Sequence, residues 1–366
     1  MIRKFSSALF IGAIVFSSCK KDDAIAPYTT PDTYNFSNVE NKEATARISM
    51  WAGYTGLLGK SNSRQLNQDT INYLWNNTNN AFTAETGSNI PYTFDVINAL
   101  GTSFSLSAKV ADAAFFKSLA DSMKNISQYY SSPASRGVPG KIGNRIFNHT
   151  GLEFNQAVAK GLMGALQLSN VITQLDASRS ADNNTEVAGQ GTAMQHAWDL
   201  AYGYVGIPKD YDTSIAYTSA IVDRPLAIGG YFAERGKYIQ SGFKVSEAFR
   251  KGRAAIGAKD YAARDAAINT IKEYLEKTIA AALYYYITAP QTQAELSAKF
   301  HGLSEGYGFA LGLKYRAANS TLSAANYQAL LDIINTDFYE LADDAANTKL
   351  KQAQTILTTA YGQLQP

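Results

Sequence analysis

Apolar residues recur at intervals of three and four along most of this chain, the spacing that lines one face of an α-helix. The clearest run is Ile268, Ile271, Leu275, Ile279, Ala282 and Tyr286, with Pro290 placed to stop it. Phe154, Val158, Leu162, Ala165 and Ile172 form a second stripe over 151–175. Gly161 and Gly164 lie beside that stripe, where another helix can approach closely. Residues 327–334 and 348–361 repeat the period. Near the start, Ser37 and Glu40 stand at capping-box spacing, and Ile48, Trp51, Thr55 and Leu58 follow on one face. Alternation of the β type is nearly absent, and stretches with Gly and Pro at 87–91, 131–140, 181–191 and 203–212 read as loops. The pattern predicts an all-α fold with little or no β-structure, built as two packed helical bundles that join near 205–215. Residues 161–166 and 301–311 both combine small residues with leucine, a faint internal echo that fits two halves.

The first residues follow a different plan. Arg3 and Lys4 are basic, residues 8–16 are uninterruptedly apolar, and Ser17 and Ser18 precede Cys19. The apolar stretch is too short to span a bilayer and has the form of a cleaved export signal over 1–18. Cys19 is the sole cysteine, so the chain forms no internal disulfide. The small pair before it resembles a lipobox, which implies that Cys19 carries lipid as the first residue of the mature protein. One acyl chain contributes only about 0.8 kcal/mol per buried methylene; bacterial lipoproteins carry several, which implies a stable membrane anchor. Lys20-Lys21-Asp22-Asp23 resembles the lysine-plus-acidic signal that sends Bacteroidota lipoproteins to the outer face of the outer membrane. Residues 19–35, with Pro27 and Pro31 and no periodicity, read as a flexible tether, leaving 36–366 as the helical body.

Composition narrows the partners. Loss of Arg3 and Lys4 with the signal would leave the 31 acidic residues matched by as many Lys and Arg. A neutral body without a long basic run lacks the electropositive footprint of nucleic-acid binding. No later segment is long and apolar enough to be expected to cross a membrane. At 46% hydrophobic residues the chain can build a substantial core, and its 23 tyrosines read mainly as packing residues of that core.

Candidate chemistry is sparse. HExxH and CxxC are missing from the sequence. Gly59-Lys60-Ser61 is not a P-loop, because Tyr54 stands where the first glycine is needed. The three histidines are His149, His196 and His301. His149 sits in a loop-like stretch and reads as a surface or cap residue. His196 and Asp199 are three apart, and His301 and Glu305 four apart, so each pair shares a helix face. Two such pairs on facing helices assemble a metal site in a bundle, and imidazole with carboxylate suits iron or zinc. The competing reading is that each His–acid pair is a hydrogen-bonded core or cap group. Glu153 is a further carboxylate available from the 151–175 helix. Trp198 and Tyr202, with Tyr204, are candidates for a pocket wall or for the core.

Met194-Gln195-His196-Ala197-Trp198-Asp199 resembles the imelysin motif Gly-x-His-x-x-Glu, with Met194 and Asp199 replacing its glycine and glutamate. The stretches at 198–206 and 300–309 are similar to an uncharacterised Bacteroidota lipoprotein family that is itself imelysin-like. The resemblance implies a two-bundle helical envelope protein associated with iron uptake, and it points to His196 and Asp199. It yields an expectation of a non-enzymatic surface lipoprotein that binds iron, haem or a metal-linked ligand through His196, Asp199, His301 and Glu305. The alternatives are a metal-dependent hydrolase of imelysin type, with Asp199 or Glu305 as base, and a scaffold that docks an outer-membrane transporter.

Overall fold

The structure, a computed structural model, describes residues 25, 27–83 and 92–366. The expected export signal, Cys19 with the charged run behind it, and the loop expected at 87–91 lie outside those residues.

The fold is all-α. Its first half runs α1 (Lys42–Gly59), α2 (Gln68–Asn76), α3 (Phe94–Ala99), α4 (Ala113–Ser127), α5 (Phe154–Leu162), α6 (Ser169–Ser178) and α7 (Ala193–Val205). Its second half runs α8 (Ile228–Glu234), α9 (Ser241–Gly257), α10 (Tyr261–Thr288), α11 (Leu296–Gly312), α12 (Ala324–Ile334), α13 (Phe338–Asp343) and α14 (Thr348–Tyr361). The long helix α10 packs against α9, α11 and α14. All six residues of its predicted stripe, from Ile268 to Tyr286, are buried. Each large aliphatic side chain so placed contributes about 1.5–3 kcal/mol of burial. Pro290, which has no N–H to give, turns the end of α10 into a short 3₁₀ segment, Ala289–Gln291. The Gln291 side chain then donates to the Ile287 carbonyl at 2.9 Å.

The expected join at 205–215 falls in the loop between α7 and α8. The hydrophobic core is continuous across it, reaching from Tyr34 to Leu364. Much of the contact between the halves runs through α5 and α11. These helices carry the two echoing stretches, which face one another. Between α5 and α6 the helix widens into a π-helical segment, Met163–Leu168, where Gly164 lies against Gly312 of α11.

Among the described residues, β-structure is limited to two short antiparallel ladders and the isolated bridges Pro133–Lys141 and Ser135–Val138, in or beside segments read as loops. β1 (Gly140–Ile142) pairs with β2 (Arg145–Phe147), and β3 (Glu186–Val187) pairs with β4 (Gly191–Thr192). Gly143, at φ 62°, makes the turn of the first.

Two local expectations need correction. Ser37 and Glu40 do not cap α1, which begins behind Asn41. The Ser37 carbonyl instead accepts from Arg253 at 3.4 Å, and Glu40 accepts from the Lys42 N–H at 2.9 Å. The stretch read as a tether is docked over its last part. Arg250 donates to the carbonyls of Pro31 and Asp32, and Tyr34 is buried. The capping box lies elsewhere, at Thr192 and Gln195, and opens α7.

Glu276, buried on α10, accepts from the hydroxyls of Ser320 and Tyr361 and so ties the C-terminal helix to the core. Burial holds its carboxyl above the ordinary glutamate value of 4.5, against the pull of those hydroxyls. A raised folded-state pKa stabilises fully below the unfolded value, and the contribution is lost as pH rises through the folded one. Urea unfolding at about pH 7 and about pH 5 should therefore show the native chain gaining on Glu276→Gln as pH falls. A constant stability difference between the two would show that Glu276 does not titrate differently on folding.

Candidate functional site

Helix α11 carries His301 and Glu305 one turn apart, and α5 meets it with Glu153 at its N-cap position. Glu153 is fully buried, and its carboxylate lies 2.6 Å from His301 Nδ1 and 3.4 Å from Arg145. Its backbone N–H donates to Ser304 of α11 at 2.8 Å, which fixes the meeting point of the two helices. The other ring nitrogen of His301, Nε2, stands 3.6 Å from Glu305, too far for a hydrogen bond. Glu305 pairs with Lys160 of α5 at 3.0 Å. Glu153 thus orients the imidazole through Nδ1 and leaves Nε2 open to a further partner.

This group borders a cleft of about 500 Å³, lined also by Asn144, Arg145, Arg235, Tyr285, Tyr286, Gln293, Glu295 and Ser297. The β1–β2 hairpin supplies Asn144 and Arg145, α10 supplies the tyrosines, and the turn after α10 supplies Gln293. The Arg235 guanidinium stacks on Tyr285, 3.4 Å from the ring centre, and pairs with Glu234 at 3.2 Å. Its Nε and the Gln293 Oε1 are buried without a hydrogen-bond partner. Burial, with Tyr231 and Glu305 close by, holds the Tyr286 phenol above its ordinary range, so it stays a neutral donor at physiological pH.

The second expected pair stands in another setting. Asp199 is completely buried, with Arg253 at 2.9 Å and the Tyr34 hydroxyl at 2.5 Å. Burial pushes its carboxyl up, opposed by Arg253 and Tyr34. His196, partly exposed in the first turns of α7, has Glu40 at 3.8 Å from Nδ1. Neither residue shares a hydrogen bond or ion pair with His301 or Glu305 among the described residues. The four-residue set is therefore divided between two places in the fold. Asp199 is committed to the core and is not placed as a base for chemistry at His301. Among the described residues, no three or more His, Cys, Asp or Glu side chains stand where they could hold one metal ion.

The proposed pocket residues divide similarly. Trp198 is core: fully buried, with its indole N–H donating to the Phe249 carbonyl at 3.0 Å. Tyr202 stacks on Tyr34 at 3.6 Å and borders a different cleft, which Phe36, Tyr92 and Lys209 also line. Tyr204 is buried against Arg47. His149 is exposed.

The family profile described as "Domain of unknown function (DUF4856)" matches residues 31–363. The chain belongs to this family. No curated protein and no solved structure matches it. The DUF4856 match begins within the docked segment that holds Pro31, Asp32 and Tyr34, and so takes in both the His301 cleft and the Asp199 cluster.

Sequence reasoning missed Arg145, Lys160, Arg235, Gln293 and Glu295 in this DUF4856 chain. Lys160 had a usable signal, since it lies seven residues after Glu153 and hence on the same face of α5. Arg145 and Arg235 carry none: the β1–β2 hairpin folds Arg145 back toward Glu153 eight residues on, and the end of α8 brings in Arg235 from far along the chain.

Proposed function

We propose that this chain is a non-enzymatic cell-envelope lipoprotein, anchored through Cys19, that captures a small polar ligand in the His301 cleft for uptake. The observation that supports the reading most is the His301 imidazole, oriented by buried Glu153 and facing Glu305 at the edge of a cleft with two arginines. A preformed concave site with a few convergent polar groups is the usual form of a small-ligand site. The resemblance to imelysin-like proteins and the charged run after Cys19 extend the proposal to a surface-exposed Bacteroidota outer-membrane protein that passes its ligand to a transporter.

The same imidazole favours iron, haem or a metal-linked ligand as the cargo. In that case the metal arrives with its own ligands and takes one nitrogen from His301. Elemental analysis after exposure to iron and zinc, together with a haem titration, tests this form of the reading. His301→Ala is expected to abolish uptake of the metal or haem, and Glu153→Gln to weaken it about tenfold or more. If the native protein takes up neither, cargo of this kind is ruled out. Metal-dependent hydrolysis of peptides that His301→Ala removes would favour the hydrolase instead.

A further inference from the structure

We propose that the ligand of the His301 cleft is a zwitterion, a free amino acid or a short peptide, whose carboxylate meets Arg235 and whose ammonium meets Gln293 and Glu295. The inference rests on the cleft being the ligand site. Two residues that line the cleft each hold a buried polar atom without a partner: the Arg235 Nε, a donor, and the Gln293 Oε1, an acceptor. Buried polar groups are nearly always hydrogen-bonded, so an unpaired donor and an unpaired acceptor in one cleft call for a ligand that accepts at one end and donates at the other.

The charges agree. Arg235 is held flat on Tyr285, its Nη1 donates to the Glu234 carbonyl at 3.3 Å and its Nη2 pairs with the Glu234 carboxylate, so Nε is the guanidinium nitrogen left without a partner. Glu295, exposed at the N-cap of α11, has no ion pair among the described residues and brings a negative charge to the lining two residues from Gln293. A single cation or a single anion would answer one of these two charges and leave the other unanswered. The cleft volume of about 500 Å³ holds an amino acid or a short peptide.

Isothermal titration of the purified protein with the free α-amino acids and with dialanine, each beside its N-acetylated and C-amidated form, tests the assignment. At least one free form should bind, and blocking either end should weaken it about tenfold or more. Binding by an amino acid but not dialanine, or the reverse, identifies the source. Arg235→Gln should remove the penalty of amidation, and Glu295→Gln the penalty of acetylation, because each variant has already lost that contact. The Glu295→Gln change is at an exposed position, so its unfolding midpoint should match the native one. Equal binding of blocked and free forms overturns the zwitterion. So does a metal or haem that binds through His301 while no free form binds, although the cleft then stands as the site. A free form whose binding ignores Arg235→Gln, Glu295→Gln and His301→Ala overturns the zwitterion and the cleft together.

Discussion

Asp199→Ala is expected to cost about 3–5 kcal/mol of folding stability, measured by urea unfolding. The truncation leaves the Arg253 guanidinium buried at the 4% exposed level with its countercharge gone, and the Tyr34 hydroxyl without its acceptor. Removing one member of a buried ion pair is costly because the other remains desolvated and unpaired. The double variant Asp199→Leu with Arg253→Met should recover most of the loss, since apolar residues of similar size need no countercharge. Tyr34→Phe removes one hydrogen bond and should cost about 1 kcal/mol. Because Asp199 shares no hydrogen bond or ion pair with His301, Glu153 or Glu305 among the described residues, a folded Asp199→Asn protein should bind its cleft ligand with native affinity. An Asp199→Ala protein as stable as the native one would show that the pair does not hold the docked N-terminal segment to α7 and α9.

Gly164→Ala is expected to destabilise by about 3 kcal/mol or more, the upper range for overpacking a core. A Cβ at this position would stand closer than 3.0 Å to the Cα, carbonyl carbon and oxygen of Gly312. All three are backbone atoms, so no rotamer change relieves the clash, and α11 has to move away from the π-helical segment. Such a shift would also disturb the meeting of Glu153 and His301, which the same two helices carry, so ligand affinity should fall with stability. Gly257→Ala is the control. Nothing lies within 4 Å of its added Cβ, and the change should stay within about 1 kcal/mol, on the stabilising side. An unchanged unfolding midpoint for Gly164→Ala would mean that the helices are not in close contact there.

The helices were legible where burial imposes a period. Ile268 to Tyr286 had to line one face of one helix, and Gly161 with Gly164 marked a place for close approach, because neither pattern depends on which neighbour arrives. Helix starts were less legible. Ser37 and Glu40 have cap spacing, yet Arg253 and the docking of Tyr34 hold that stretch out of a helix, while Thr192 and Gln195 supply the real box. The site was half legible. Spacing placed His301 and Glu305 on one face of α11, and Glu153 was a candidate before its partner was visible. The same spacing rule joined His196 to Asp199, but a pair on one helix face says nothing about what covers that face.

By itself, the sequence determined that this chain folds as packed α-helices, where the longest of them ends, and which glycines admit a close crossing. These follow from local geometry and from the removal of apolar stripes from water. Tertiary structure alone decided that Asp199 serves a buried arginine and that His301 stands in a cleft beside Glu153. It also decided that Arg145 and Arg235 share that cleft. Each of those outcomes depends on residues tens to hundreds of positions away, and the charge or hydrogen bond that settles a side chain's role acts over a few ångströms of space, not along the chain.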